Sequence, residues 1–290
     1  MTLTVRVPAS TSNLGAGFDC LGLALDVWLE ASLVPGRGGS RPRYAGTLKG
    51  LDADSDIVFR LLAERDALED HQLVVDSQIP IGKGLGSSAA AVVAALVLAR
   101  LVTGDPVDRK AVFRGAAKEE GHPDNAGAAV FGGLVLAGDR PTRVDLHADI
   151  AVALAIPGRG VSTKSARDLV PGAFPREVAV QQSARSAALI LGLTTGDLEL
   201  VAFGMDDRLA VPHRKRLIHG YDMAAAAGLE AGAYGVTISG AGSAVLALGP
   251  PDRVTAIAES MTHALTAEDN SATAATPSVA ESGFIVSADS

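Results

Sequence analysis

The first 150 residues alternate between segments with strand periodicity and segments with helix periodicity. Residues 3–7 alternate polar and apolar side chains as far as Pro8, which we expect to end a short strand. Residues 87–102 carry no charge before Arg100, so we predict a helix that is buried on nearly every side. The other elements predicted in this half are strands at 22–33, 73–75 and 134–137, a helix capped by Asp54 or Ser55, and a helix that follows Asp108 and ends near residue 120.

The second half repeats this mixture in a different order. A strand is predicted at 151–156, and three helical stretches follow at about 176–192, 196–207 and 212–227. Later elements are strands at 235–238 and 244–248, a helix at about 251–267, a loose polar connection at 264–282 and a last strand at 284–287. With the central helices taken as one enlarged connection, the order is β-α-β-β-α-β, the split pattern of ferredoxin-like domains. We therefore predict an α+β protein of two domains, residues 1–150 and 151–290.

Composition and charge narrow the class of protein. The chain has 290 residues, 48% of them hydrophobic and 20% charged, which is typical of a globular protein with a sizeable core. Its net charge is −8 and it has no Lys/Arg-rich run, so nucleic acid is not expected as a partner. The single cysteine, Cys20, excludes an intrachain disulfide and a cysteine-based zinc site. The longest apolar run is too short for a bilayer, and the N-terminus lacks a signal-peptide pattern, so we expect a cytoplasmic protein without a membrane partner.

The stretch IPIGKGLGSSAAAVVAAL, residues 79–96, places three glycines directly before the predicted buried helix. Glycines let the backbone turn sharply and bring its N–H groups close to a ligand. The helix that follows adds unpaired amides and the positive end of its dipole, which together suit a polyphosphate. Ser88 can offer its hydroxyl to a magnesium ion carried by a nucleotide. Taken alone, the loop is equally well interpreted as a structural turn with serine caps.

Two other glycine-rich turns change that balance. They are VPASTSNLGAGFDCLGLAL at 7–25 and ISGAGSAVLAL at 238–248. Together with residues 80–89, they resemble the three motifs of the GHMP kinases, in which P-x-x-x-G-L-G-S-S-A binds the phosphates of ATP. The resemblance implies a two-domain α+β fold, with an N-terminal ribosomal-protein-S5-domain-2-like domain and a C-terminal ferredoxin-like domain. The ATP-binding residues that it implies are Pro80, Ile81, Gly82, Lys83, Gly84, Leu85, Gly86, Ser87, Ser88 and Ala89.

Further segments resemble the homoserine kinase family within this group. They are P-A-S-x-x-N-L-G-x-G-F-D at 8–19, E-G-H-P-D-N at 120–125, S-T-x-x-A-R at 162–167 and P-x-R-x-x-L-I at 212–218. The resemblance implies phosphorylation of the side-chain hydroxyl of L-homoserine by ATP, which gives O-phospho-L-homoserine for threonine biosynthesis. A homodimer is expected from the resemblance alone.

The same resemblance implies the roles of individual residues. Ser88 and Glu120 are expected to hold Mg²⁺. Asp19, Asn125 and Arg167 are expected to be catalytic, although phosphoryl transfer needs mainly alignment and charge neutralisation, and Asp19 is only the candidate general base to test. The residues expected to surround the amino acid are Asn13, Asp19, His122, Asp124, Asn125, Arg167, Arg214 and Gly240.

Several alternatives stay open at this stage. Without the resemblance, Glu120 is a solvated residue at a helix end, and Arg167 and Arg214 are surface arginines. Lys83 is either a partner of the triphosphate or a solvated loop residue, and both interpretations have equal weight. For the whole protein, the alternatives are another GHMP small-molecule kinase or a non-catalytic regulator with this fold, because a fold does not by itself determine function.

Overall fold

The structure, a computed structural model, describes residues 1–36, 41–268 and 271–289. Its strands form two separate sheets. In chain order the strands are β1 (Thr2–Asn13), β2 (Gly17–Pro35), β3 (Arg43–Gly46), β4 (His71–Ser77), β5 (Leu134–Leu136), β6 (Thr142–Val144), β7 (Ala151–Pro157), β8 (Gly235–Ile238), β9 (Val245–Gly249), β10 (Ala272–Ala275) and β11 (Ile285–Asp289). The helices are α1 (Ile57–Ala63), α2 (Ser87–Thr103), α3 (Arg109–Glu120), α4 (Asp124–Phe131), α5 (Thr163–Asp168), α6 (Arg176–Thr195), α7 (Leu198–Met205), α8 (Val211–Arg214), α9 (Tyr221–Glu230) and α10 (Val254–Ala267).

The first sheet has the strand order β11-β1-β2-β4-β3, and β5 and β6 extend it from β2. Its pairs are antiparallel except for β3 with β4. The prediction that Pro8 ends the first strand is wrong, because β1 continues through Pro8 to Asn13. A register shift between Pro8 and Ala9 interrupts the pairing with β2 at that point. Such a bulge accommodates a proline, which cannot donate to a continuous ladder.

The helices of the first half cover one face of this sheet and form the main core with it. The prediction for α2 is confirmed, since its residues from Ala89 to Ala95 are all buried. The predicted cap of α3 is also confirmed, because the Asp108 carboxylate accepts hydrogen bonds from the first turn. The cap of α1 was predicted wrongly. Asp54 and Ser55 lie in a preceding 3-10 turn, and Asp56 accepts the Val58 N–H at 2.9 Å.

The second sheet has the strand order β10-β7-β9-β8, all antiparallel, which is the arrangement expected of a split β-α-β-β-α-β unit. Because side chains alternate along a strand, Val152 and Leu154 of β7 join the main core, whereas Ala153 and Ala155 pack in a second core with α9 and α10. The connection between β7 and β8 contains the predicted helical stretches as α6 to α9, and it begins with a short helix, α5, that was not predicted. Its last predicted helix, 212–227, is divided into α8 and α9 at Gly220, which has a φ of 80°.

The prediction for the last strand needs correction. The second sheet is closed by β10, which lies inside the segment predicted to be a loose connection. The strand predicted at 284–287 is β11, and it returns to pair with β1 in the first sheet. Residues at the end of the chain therefore belong to the sheet that the beginning of the chain forms. The domain boundary near residue 150 stays a prediction.

No helix within the described ranges has the length and apolar character needed to cross a membrane.

The two halves of the molecule meet along the three glycine-rich turns. Gly84 O accepts the Ser239 hydroxyl at 2.7 Å, and Ser12 O accepts the Gly240 N–H at 3.1 Å. A cleft opens where these turns come together.

Candidate active site

A cavity of about 290 Å³ lies between the two halves of the molecule. Its lining comes from the glycine loop at 80–88, the turn between β1 and β2, the start of α4, the start and end of α5, α8 and the turn at 240–241. Most of the residues that the sequence singled out therefore face one space. Their contacts show what that space can bind.

The glycine loop forms one wall and requires glycine at two of its positions. Gly84 and Gly86 have φ values of 75° and 69°. A Cβ atom on Gly84 would lie 2.0 Å from Ser239 O, and one on Gly86 would lie 2.1 Å from Ser10 Oγ. α2 begins at Ser87 without a side-chain cap, which leaves its first amides free to meet an anion. The loop therefore has the geometry of an anion cradle, as the sequence predicted.

Ser88 and Glu120, the predicted metal ligands, are brought together beside this loop. The Ser88 hydroxyl donates to Glu120 Oε2 at 2.7 Å. Burial raises the pKa of Glu120, although the hydrogen bond from Ser88 opposes this shift. Among the described residues there is no group of three His, Cys, Asp or Glu side chains that could enclose a metal ion. A hydroxyl and a carboxylate oxygen are ligand types that suit a cation such as Mg²⁺, which is often bound through few protein oxygens together with water and substrate phosphates.

His122 and Asp124 form a buried pair at the floor of the cavity. His122 Nδ1 lies 2.6 Å from Asp124 Oδ1. Burial alone would lower the pKa of His122, but the hydrogen bond and charge of Asp124 outweigh it and raise that pKa. For Asp124 the directions are reversed: burial alone would raise its pKa, but the hydrogen bond and charge of His122 outweigh burial and lower that pKa. The contacts support a role for His122 in shaping the pocket.

Two asparagines hold the backbone around the cavity. Asn125 donates from Nδ2 to Ser12 Oγ at 3.0 Å and accepts from Ser10 Oγ at 2.8 Å, which ties α4 to β1 behind the glycine loop. Asn13 accepts the Asp19 N–H at 2.9 Å and donates to Gly240 O at 3.0 Å. The φ values of Asn13 and Asp19 are 71° and 55°, so the turn that presents Asp19 uses left-handed backbone at both ends.

Asp19 and Arg167 form a two-pronged ion pair across the cavity. Arg167 donates from Nη2 to Asp19 Oδ1 at 2.8 Å and from Nη1 to Oδ2 at 3.1 Å. Both side chains are about one-third exposed. Each carboxylate oxygen accepts one bond from Arg167 and keeps room for a second donor, such as a substrate ammonium. The geometry therefore fits Asp19 as a binding residue and does not by itself assign it as a general base.

Arg214 lies next to this pair but is held differently. It is 3% exposed, and it donates from Nε to Ala166 O at 3.0 Å and from Nη1 to Gly240 O at 3.1 Å. Its guanidinium lies 5.1 Å from the centre of the Phe18 ring. The preceding turn is fixed by Asp207, whose Oδ2 accepts the Ala210 and Val211 N–H groups at 2.7 and 2.6 Å. Arg214 is thus a rigid cation rather than a surface arginine.

Two residues predicted to bind ATP do not line the cavity. The Lys83 ammonium donates to Gly158 O at 2.6 Å, away from the lining of the cavity. Ala89 is fully buried. In this structure Lys83 therefore holds the loop to residue 158, and Ala89 packs inside the protein.

Sequence reasoning missed one side of the cavity altogether. Leu48, Leu51 and residues 55–58 line it, together with Leu29. The loop begins on this side, where Thr47 Oγ1 donates to Ile79 O at 2.8 Å. Asp56 is the buried polar residue here, and its Oδ2 accepts the Tyr44 hydroxyl at 2.9 Å. No glycine motif marks residues 48–58, so only the helical cap signal near Asp54 pointed to this segment.

The cavity thus combines three chemical features. An anion cradle lies beside two oxygen ligands for a cation, an apolar recess opens at one end of the loop, and a set of fixed charges lies at the other end. A phosphorylated nucleotide and a small zwitterion could occupy these parts at the same time. This arrangement is suited to phosphoryl transfer between two bound molecules.

Comparison with known proteins agrees with this geometry. Residues 56–133 match the family model for the GHMP kinases N terminal domain, and residues 189–267 match the model for the GHMP kinases C terminal domain. The homoserine kinase of a Synechococcus species is 36% identical over 300 residues, covering 98% of this chain and 97% of that protein. The homoserine kinase of Parasynechococcus marenigrum is 37% identical over 281 residues, with coverage of 90% and 88%.

A solved structure gives the same result. The crystal structure of the homoserine kinase from Cytophaga hutchinsonii superimposes with a TM-score of 0.85 at 28% identity, and covers 98% of this chain and 97% of that one. The predicted two-domain α+β fold is therefore confirmed. The similarity covers nearly the full length of the chain. The chain belongs to the GHMP kinases and, within them, to the homoserine kinase family.

Proposed function

We propose that the protein transfers the γ-phosphoryl group of ATP to the side-chain hydroxyl of L-homoserine, forming ADP and O-phospho-L-homoserine. The observation that carries this proposal is the placement of Asp19, Arg167 and Arg214 in the same cavity as the glycine loop. A carboxylate and two guanidinium groups match the ammonium and carboxylate of an amino acid. The loop matches the phosphates of the second substrate.

The nucleotide lies along the loop in this proposal. The amides of residues 82–88 would bind the phosphates, and the apolar recess formed by Leu48, Leu51 and their neighbours would take the base. Ser88 and Glu120 would hold Mg²⁺ beside the loop. When bound, Mg²⁺ neutralises negative charge on the phosphates and on the transferring group.

The amino acid lies at the other end of the loop. Arg214 offers a cation that two backbone carbonyls hold in place, and Arg167 offers a second cation from its pair with Asp19. The carboxylate of homoserine would bind to these guanidinium groups, and its ammonium would bind to Asp19. With that end fixed, the hydroxyl points to the loop, where its oxygen bonds to the γ-phosphorus as the bond to the ADP oxygen breaks.

Asn125 and Asn13 support this arrangement from behind. Asn125 fixes the start of α4 against β1, and Asn13 fixes the turn that presents Asp19. These contacts support a positioning role for both asparagines. The hydroxyl proton is released to solvent water as the new bond forms.

The test is an assay of ADP release with and without L-homoserine, followed by identification of the product by phosphorus NMR. We expect ADP release to depend on homoserine and a phosphomonoester to appear on the side-chain oxygen. Mevalonate and shikimate serve as competing acceptors. Turnover of either in preference to homoserine, or nucleotide binding without any turnover, would contradict the proposal. The homodimer stays a prediction, which a measurement of molar mass in solution would test.

A further inference from the structure

Residues 158–161 connect β7 to α5 and contact two of the three glycine-rich turns, the loop at 80–88 and the turn at 238–248. Val161 N–H donates to Gly82 O at 3.0 Å, and Lys83 Nζ donates to Gly158 O at 2.6 Å. From the other turn, the Ser243 hydroxyl donates to Arg159 O at 2.6 Å. We call residues 158–161 the bridging segment. Both of its ends are bonded to the glycine loop at 80–88, which is called the nucleotide loop from here on.

The bridging segment leads directly into the helix that carries Arg167. Ser162 follows it and caps α5, and Arg167 lies in the last turn of that short helix. Val161, Ser162 and Thr163 also line the cavity. A shift of the bridging segment would therefore move α5, and with it the guanidinium that pairs with Asp19.

Lys83 is the one side chain of the nucleotide loop in these contacts, because the bond from Val161 is between backbone groups. Its ammonium is partly buried, which lowers its pKa, and its hydrogen bond to Gly158 O is short. Charged hydrogen bonds of this kind are stronger than neutral ones. The contact spans 75 residues of sequence and joins the two halves of the molecule.

We propose that Lys83 is a positioning residue that couples the nucleotide loop to the helix carrying Arg167, so that nucleotide and amino acid each strengthen the binding of the other. The inference rests on the proposed function for its second ligand. When phosphates occupy the loop, the loop and the bridging segment are held together, and α5 is held in the position that the amino acid needs. Coupling of this kind is reciprocal, since each ligand must favour the same arrangement.

The first test needs no amino acid. Hydrogen exchange is measured over residues 158–168 with and without a non-hydrolysable ATP analogue and Mg²⁺. In the wild type we expect the analogue to slow exchange in this segment. In Lys83→Met we expect most of that protection to be lost, and in Lys83→Arg we expect it to be retained. Lys164→Met is the matched control, because Lys164 is an exposed lysine on α5 itself.

The second test measures the coupling by calorimetry. The Kd of L-homoserine is determined alone and with saturating analogue, and the ratio of the two values is the coupling factor. We expect a factor of at least about 5 in the wild type, at the lower end of usual allosteric couplings. The factor should fall below about 2 in Lys83→Met and stay near the wild-type value in Lys83→Arg and Lys164→Met.

Three results would overturn the inference. The first is a wild-type coupling factor of about 1, and the second is an analogue that leaves exchange over residues 158–168 unchanged. The third is a Lys83→Met protein that binds the ATP analogue at least about tenfold more weakly, binds adenosine normally and keeps its coupling factor. That pattern would make Lys83 a direct phosphate ligand. If the wild type does not bind homoserine, the proposed function fails, and the exchange experiment still decides the role of Lys83.

Discussion

Replacing Arg167 and Arg214 by methionine should reduce activity to a similar degree but should affect stability very differently. Each guanidinium faces the cavity, so loss of either should lower kcat/KM for homoserine by about 2–4 kcal/mol, or roughly 30- to 1000-fold. The ion pair of Arg167 with Asp19 is about one-third exposed on both sides, so its loss should cost at most about 1 kcal/mol of unfolding free energy. Arg214 is 3% exposed, and its removal leaves Ala166 O and Gly240 O without their donor. We expect that loss to cost about 2–4 kcal/mol of unfolding free energy.

Steady-state kinetics and urea unfolding measure these two effects separately. Arg216→Met is the matched control, because Arg216 is exposed and lies two residues from Arg214. An amidated homoserine provides a second check. The wild type should lose activity on the amide, whereas Arg167→Met should lose little more. An Arg214→Met protein as stable as the wild type would refute the reasoning from burial, and an Arg167→Met protein with normal kcat/KM would refute a carboxylate-binding role.

Three further predictions concern the loop, the metal ligands and the recess. Glu120→Gln removes an anionic oxygen ligand, so activity should fall roughly 100-fold with partial recovery at high Mg²⁺, and full activity at limiting Mg²⁺ would contradict the assignment. Gly84→Ala should reduce kcat/KM for ATP far more than Gly82→Ala. A Cβ atom at position 84 would lie 2.0 Å from Ser239 O, whereas one at position 82 would meet nothing within 4 Å. Equal losses in the two variants would show that backbone conformation alone limits the loop. Burial raises the pKa of Asp56 above its ordinary 3.8, although the hydrogen bonds from Tyr44 and Val58 oppose this shift. The wild type should therefore lose unfolding free energy as pH rises through this raised value, because its carboxylate ionises more readily in the unfolded chain. Asp56→Asn lacks the carboxylate, so its unfolding free energy should increase relative to that of the wild type over the same pH range. A difference between the two proteins that stays constant from about pH 3 to about pH 8 would contradict it.

The sequence predicted the elements whose stability is local or whose burial is complete. α2 could be recognised because a run of small and apolar residues without charge fits only a helix buried all round. The cap at Asp108 could be recognised because its side chain bonds within its own first turn. β10 could not be recognised in this way. Its residues, ATAA, are only partly buried at a sheet edge, and the strand exists because β7 offers a partner more than 100 residues away along the chain.

The same distinction applies to the site. Motif residues such as Asn13 and Asp124 converge as the resemblance implied, because each contacts its neighbours through a side chain that the motif preserves. The contact of Lys83 could not be predicted, since its acceptor is a backbone carbonyl, and any residue type at position 158 carries one. The recess around Asp56 was missed for a related reason. Its walls are ordinary apolar side chains that have no sequence signature until the fold brings them to the loop.

The charges of the cavity explain why it can bind a zwitterionic amino acid and a metal-bound nucleotide at the same time. Asp19 pairs with the Arg167 cation and Asp124 bonds to His122, whereas the buried Arg214 cation is held by two backbone carbonyls and can still take an anionic partner. A zwitterion can enter this end by exchanging one ion pair for two, which avoids the desolvation cost of an unpaired charge. Glu120 differs, because its short hydrogen bond comes from a neutral hydroxyl and its pKa is raised by burial. Of Asp19, Asp124 and Glu120, the carboxylate that gains most from an added cation is therefore the one beside the glycine loop, where a nucleotide would bring one.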